Sequence, residues 1–503
     1  MIYMLIGIQG SGKSTLSKKL SKDFNCDIIS TDYVRKTHPG IDEKLVWVTV
    51  YDLLAEHVKA NKDAIYDATN VTPKVRRRFF NELFKRGVKP NVIAYFLDTP
   101  MNVCYDRVVK RNEKPDELYL PLEVIGSYAK TLIPPYLSEG FLEIRTVKEG
   151  EVVNIQKRKL NLKNDYSHIM AKEIFNELEF KANYSYNGYG EDDESKAAKI
   201  IIGREIGNEK AQIEFINGGT MANKLVIDTL LKPYEAIISC DTSHINVHET
   251  GAIEELGHKL LTHPNKNGKV DLEEIKNVVN NHVDYHMVKP RLVYISNTTE
   301  LGTVYTKEDL EQLHKLCQEL DLLLFIDGAR LFVALESRLC DYDLKFLASI
   351  CDAFTIGGAK LGLPYGEAVI FNKAIDDIQF RIKRQGAMLS KGFIPGIMFK
   401  YAIENNLFKK YAKVENDLAY ELEEELGKLG VKFLAPVESN QIFVIVTNEE
   451  YAFLSDNIEF ELWKDAGNIK VIRLVTSFST THEDIKKCID LFSDIRKEEG
   501  LKC

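Results

Sequence analysis

Short apolar runs alternate with helical-period segments from the first residues of this chain. Residues 4–8, 27–30, 64–66 and 92–97 are apolar and β-prone, and the stretches between them repeat their apolar positions at helical spacing. Strands and helices alternating in this way predict a parallel sheet covered by helices. This first unit, residues 1–144, closes near Ile144. Residues 145–160 (RTVKEGEVVNIQKRKL) are charged and follow neither period, so they read as a linker. A second α/β series then occupies residues 161–503, with strands predicted at 212–215, 236–239, 292–295, 322–326, 353–356 and 367–371. After Gly392 the pattern changes to long amphipathic helices around a few strands, which predicts a smaller C-terminal subdomain over 393–503.

The length of 503 residues requires more than one core. A formal charge of −9 argues against a broad electrostatic footprint for nucleic acid. The eight cysteines are scattered, with no CxxC pair and no Cys/His cluster at zinc spacing, as expected of reduced thiols in a cytoplasmic protein. The apolar start lacks a basic flank and a cleavage site and runs into a glycine loop, so it is expected to be a strand rather than a signal peptide. No run reaches the length of a membrane span.

Gly7-Ile-Gln-Gly10-Ser-Gly12-Lys13-Ser14-Thr15 follows an apolar strand and opens a helix, the context that a P-loop requires. Its glycines let backbone N–H groups wrap phosphates, Lys13 reaches the terminal phosphates, and Ser14 is placed to ligate Mg²⁺ on ATP. Asp32, just past the second strand, is positioned to deprotonate an acceptor hydroxyl, and Arg35 to hold an acceptor anion. Asp67 ends the third strand. Arg107 and Arg111 share one helix face and are candidates for a lid over the transferred phosphoryl group. The basic run Lys74 to Arg78 reads as a solvated helix face rather than a polyanion contact.

A second constellation lies downstream. Asp327 closes the run LLLFID, at the strand end where ligands bind in open α/β sheets, and a carboxylate there can pair with a protonated pyridine nitrogen. Lys360 follows AFTIGG and can form a Schiff base with an aldehyde cofactor. His244 offers a flat ring for stacking, and Gly218, Gly219 and Thr220 open a helix with free N–H groups for a phosphate.

Two resemblances gather these residues. The first 144 residues, through GIQGSGKST, STDYVR, YDATNVTPKVRR, LDTP, DRVVKRN and PPYLSEGF, resemble the polynucleotide-kinase-like P-loop kinases. That likeness implies Asp32 as general base and Arg111 in the lid, but names no acceptor. From about Asn164 onward, NDYSH, YNGYGEDDES, NGGTMAN, SHINVHETGA, SNTTELGTVY, FIDGAR, TIGGAKLGLPYG, QGAMLSKG and VIRLVT resemble the low-specificity L-threonine aldolases of the β-eliminating lyase group. The two likenesses imply an α/β fold class: a P-loop NTPase-type domain followed by a fold-type I, pyridoxal-phosphate-dependent transferase-like domain. They further imply Lys360 as the Schiff-base lysine, Asp327 as the pyridinium partner, His244 as the stacking residue, Gly219 with Thr220 as the phosphate cradle, and Arg330 with Arg473 on the substrate carboxylate. A homodimer or homotetramer acting on a small amino acid is implied as well.

Two departures stand out. Thr299 occupies the position where many members carry a histidine near the substrate hydroxyl, and Leu389 replaces an arginine, with Lys391 nearby. The base for the hydroxyl proton is then sought in a water near His244 or in His248. The expected protein is bifunctional, a P-loop phosphotransferase joined to a lyase. Its rivals are a lyase with a regulatory ATP module that does not turn over, and a nucleic-acid-end kinase with the lyase half as scaffold.

Overall fold

The computed structural model describes residues 1–113 and 119–498, and the chain divides into two compact units, Met1–Arg158 and Lys159–Cys503. In the first, β1 (Ile2–Ile6), β2 (Asp27–Ile29), β3 (Ala64–Tyr66), β4 (Val92–Leu97), β5 (Glu143–Lys148) and β6 (Glu151–Lys157) form one sheet in the order β2-β3-β1-β4-β5-β6. The first five strands run parallel and β6 antiparallel. All five residues of β1 are buried, as suits a central parallel strand covered on both faces. It ends before residues 7 and 8, because the Gly7 N–H already bonds the Thr69 carbonyl at the start of the loop.

Residues 145–160 are not a linker. Residues 145–157 form most of the β5–β6 hairpin of this sheet, the unit ends at Arg158, and Leu160 already begins a strand of the second unit. Every residue of β6 is exposed. An edge strand with no buried face carries no hydrophobic alternation, which is why the segment reads as unstructured.

The second unit contains β7 (Leu160–Asn161), β8 (Gln212–Ile216), β9 (Glu235–Cys240), β10 (Leu260–His263), β11 (Lys289–Ser296), β12 (Leu323–Asp327), β13 (Ala353–Gly357), β14 (Glu367–Phe371), β15 (Lys432–Phe433), β16 (Gln441–Thr447), β17 (Ile458–Glu459), β18 (Glu461–Asp465) and β19 (Ile469–Val475). Seven of them make the main sheet, β10-β9-β11-β12-β13-β14-β8, in which β14 runs antiparallel to both neighbours. Apolar clusters cover both faces, one around Ile326, Phe354 and Phe399, the other around Tyr294, Phe325 and Val369. Full burial of each such side chain contributes roughly 1.5–3 kcal/mol.

The small subdomain is an antiparallel sheet, β15-β16-β19-β18. Two of its limits differ from the sequence reading. Helix Phe393–Glu404 belongs to the large core, through Met398, Phe399 and Ala402. Conversely, β7 pairs with β17, and Leu162 is buried in the small core. The 22-residue helix Leu407–Lys428 serves both, with Phe408 and Tyr411 in one core and Leu418 and Leu422 in the other.

Candidate functional sites

In the first unit the loop after β1 is built on left-handed glycines: φ is 79° at Gly10 and 101° at Gly12. A Cβ on Gly10 would lie 2.4 Å from the Cys104 carbonyl oxygen, so the loop has no room for any other residue there. Helix Lys13–Phe24 starts without a side-chain cap, leaving its first N–H groups for a ligand. Lys13 Nζ lies over the loop, 2.9 Å from the Gly7 and 2.8 Å from the Ile8 carbonyl oxygen. Burial lowers its ammonium to about 8, opposed by Asp67. Burial in turn raises Asp67, against the pull of Lys13. Ser14 and Thr15 are exposed at the helix start.

The other predicted residues divide. Arg107 donates to the Gly10 carbonyl at 3.2 Å, so this arginine reaches the loop. Arg111 lies half-buried one turn on. Asp32 is 91% exposed and accepts from Arg35 at 3.0 Å. The same Arg35 grips Glu43 with two bonds, 2.9 and 3.0 Å, so its guanidinium is already occupied by carboxylates rather than open to an acceptor anion. Arg76 leaves the supposed solvated face altogether: it is fully buried, pairing with Glu139 at 2.7 Å and donating to the Asn70 and Ile133 carbonyls.

In the second unit a cavity of about 360 Å³ opens at the C-terminal ends of β11, β12 and β13, lined by Gly218, Gly219, Thr220, His244, Asp327, Arg330 and Lys360 among others. They come from the ends of four strands, β8 (Gly218, Gly219, Thr220), β9 (His244), β12 (Asp327, Arg330) and β13 (Lys360), and the sheet brings them together. Helix Gly219–Leu230 begins here without a side-chain cap, and a Cβ on Gly218 or Gly219 would meet nothing within 4 Å. The turn therefore offers both unbonded N–H groups and free space to a phosphate.

Asp327 accepts from Tyr294 at 2.6 Å, Asn223 at 3.0 Å and the Ala329 N–H at 2.9 Å. Burial alone would raise its carboxyl, but the nearby His244 and these bonds outweigh burial and hold it below the usual carboxylate range. It is thus prepared as an anion for a ring N–H. The Nδ1 of His244 lies 2.7 Å from Glu249, itself buried and bonded to Asn223. Burial would lower the imidazole, yet the Glu249 bond and the carboxylates of Glu300 and Asp327 raise it. The Lys360 amine is lowered by burial and by Arg330, which favours the neutral nucleophile.

Three expectations change. Arg330 lines the cavity, but two of its nitrogens hold Asp165, at 2.6 and 3.2 Å, in a fully buried pair. Arg473 is outside the lining; Gln441 accepts from it at 3.0 Å, and Glu461 pairs with it. Thr299 turns away: its hydroxyl bonds Thr303 Oγ1 at 2.7 Å, while its neighbours Thr298 and Glu300 line the cavity. Leu389 and Lys391 do not line it either. The sequence reading missed Glu300, Glu367, Asp165 and Tyr166. Glu367 had a usable signal, a carboxylate opening the otherwise apolar strand EAVIF.

A cavity that joins an uncapped glycine turn, a strand-end aspartate held as an anion and a lysine with a lowered amine fits pyridoxal phosphate. Residues 165–449 match the beta-eliminating lyase family, and residues 2–135 match an AAA domain. The chain belongs to the beta-eliminating lyase family, preceded by a P-loop kinase-like AAA domain. Within that class it is similar to threonine aldolases. It is 32% identical to the low specificity L-threonine aldolase of Pseudomonas sp. (strain NCIMB 10558) over 52% of this chain and 78% of the relative. It is 31% identical to that of Pseudomonas aeruginosa over 62% of this chain and 90% of the relative. The structure of Leishmania major threonine aldolase matches with a TM-score of 0.65 at 36% identity, covering 67% of this chain and 99% of that one. Sphingomonas wittichii serine palmitoyltransferase, at 13% identity and a TM-score of 0.54, shares the fold over 69% of this chain and 90% of its own. The lyase half is threonine-aldolase-like, and its cofactor is pyridoxal phosphate.

Proposed function

We propose that the second unit cleaves L-threonine, L-allo-threonine or a related β-hydroxy amino acid to glycine and an aldehyde. The observation that carries this reading is the convergence of Lys360, Asp327, His244 and the Gly218–Thr220 turn on one cavity. Pyridoxal phosphate bound there supplies an aldehyde for an amine and a ring that takes up electron density from Cα. Gly219 and Thr220 hold its phosphate, Asp327 keeps a proton on its ring nitrogen, and His244 covers one face. Lys360 would hold the cofactor through its amine, and the cavity-facing part of Arg330 would orient the substrate carboxylate. A Lys360→Ala protein is expected to retain no borohydride-fixable cofactor and to release no glycine from threonine. Glycine release with that lysine absent would refute the assignment.

The first unit is proposed to be a phosphotransferase that uses Mg²⁺ and ATP, with Ser14 on the metal, Lys13 on the phosphates, Arg107 and Arg111 on the developing charge, and Asp32 as base. No group of three or more His, Cys, Asp or Glu among the described residues is placed to hold a metal, so Mg²⁺ would be shared with the nucleotide. A screen of ATP-dependent phosphorylation across hydroxy amino acids, nucleosides and RNA ends tests this. Binding of ATP without turnover on any acceptor would favour the regulatory reading, which the full exposure of Asp32 also supports.

We also propose a cytoplasmic homo-oligomer assembled through the lyase half. The seven described cysteines are all free, as a reducing compartment would keep them. Tyr166, Ile169, Phe175, Phe180 and Tyr184 form an exposed apolar series of the kind that subunit contacts cover. Sedimentation of the purified protein as a monomer with full lyase activity would contradict the assembly.

A further inference from the structure

Breaking Cα–Cβ in a β-hydroxy amino acid requires a group to take the hydroxyl proton. The cavity offers several acceptors, and most are committed. Asp327 accepts three hydrogen bonds across its two oxygens. Glu367 has one oxygen sealed from solvent without a partner, and burial, with Asp327 nearby, pushes its carboxyl up to about 8, so at neutral pH it holds its own proton. His244 is bonded to Glu249, and His248, exposed at the cavity mouth, lies tilted against the rings of His244 and Trp463.

Glu300 differs. It lines the cavity and is 8% exposed, and among the described residues no donor is hydrogen-bonded to its carboxylate. Lys360, Arg330, Arg473 and His244 all lie within its electrostatic reach. A buried carboxylate with no protein partner, facing the space where substrate sits, has its lone pairs free for a substrate proton.

We propose that Glu300 is the catalytic base of the lyase half, accepting the proton of the substrate's β-hydroxyl. This rests on the lyase reading above. The O–H bond pair becomes the second bond of the aldehyde carbonyl. Cα–Cβ breaks, and its electron pair would be taken up by the electron-accepting ring that pyridoxal phosphate would supply. The aldehyde leaves, Glu300 releases its proton to solvent, and Lys360 protonates Cα to complete glycine.

The test is Glu300→Gln in the cofactor-loaded full chain, with Glu300→Asp and His248→Gln beside it. Glycine release from L-threonine is expected to fall at least ~100-fold in Glu300→Gln, and Glu300→Asp, which keeps a carboxylate, should recover part of it. Glycine itself has no β-hydroxyl. Its affinity, read from the cofactor's visible absorption, and the exchange of its α-proton in heavy water should stay within about threefold of the parent, as expected if the lost group acts on the hydroxyl alone. Turnover within threefold of the parent would overturn the proposal. So would glycine exchange falling in step with turnover, or a loss confined to His248→Gln. If the parent itself releases no glycine, the lyase reading fails and the base assignment with it. A parent that cleaves threonine beside a Glu300→Gln that also cleaves it overturns the base assignment alone.

Discussion

Glu367→Gln separates the electrostatic cost of the cavity floor from its packing. The Glu367 carboxyl moves from 4.5 to about 8 on folding, because burial and Asp327 disfavour its charge more than Lys360 favours it. For an acid with a raised folded value, the native state binds more protons than the unfolded chain between those limits. Stability therefore falls as pH rises from 4.5 to 8, and the loss is complete above 8. At 1.36 kcal/mol per unit, 8 minus 4.5 gives a ceiling of about 5 kcal/mol. Glutamine keeps the shape and cannot ionise, so its cost or gain is independent of pH. The assay is urea unfolding of cofactor-free full chain from pH 5 to 9, followed by Trp463 fluorescence in a Trp47→Phe background. Trp463 packs on Phe443 in the second unit, whereas Trp47 is 38% exposed in the first. The variant should match or trail the parent at pH 5 and exceed it by several kcal/mol at pH 8.5. A difference that stays flat across this range would refute the raised Glu367 carboxyl.

Three further outcomes follow from the geometry. Lys13 is lowered to about 8 by burial; nucleotide phosphates restore its charge, so ATP binding at pH 8–9 should take up protons, measured by calorimetry in buffers of different ionisation heat, and affinity should decline above pH 8. Lys13→Ala should remove that uptake and most of the affinity. Asp32→Ala should cut phosphoryl transfer by roughly a hundredfold or more with ATP affinity nearly intact; loss of both together would place Asp32 on the metal instead. Asp165→Ala strands the buried Arg330 charge and should cost about 3–5 kcal/mol in the denaturant midpoint analysis. Burial would raise the Asp165 carboxyl, but Arg330 and Lys360 hold it below the usual carboxylate range, so its stabilisation is present above the unfolded carboxylate pKa and disappears as pH falls through the lower folded value. The deficit of Asp165→Ala should therefore shrink in strong acid.

The parts of this molecule legible in the sequence are those whose chemistry is contiguous or fixed to a strand end. The loop from Gly7 to Ser14 carries its glycines, lysine and helix start in eight successive residues. Asp327 and Lys360 were found because a polar residue closing an apolar run must emerge at the carboxyl edge of the sheet. The misses share a different cause. β6 shows no period because no face of it is buried, and Arg76 reads as part of a basic surface because its partners, Glu139 and the Ile133 carbonyl, lie some 60 positions away. The SNTTE loop fails more instructively. Position in a motif identifies Thr299, but it does not say which of three successive side chains faces the ligand; Thr298 and Glu300 do, and Thr299 bonds inward to Thr303. The departure from the family at Thr299 therefore removes nothing from the cavity wall in this chain. The acid–base question moves one residue along, to a glutamate that the spacing alone gave no reason to consider.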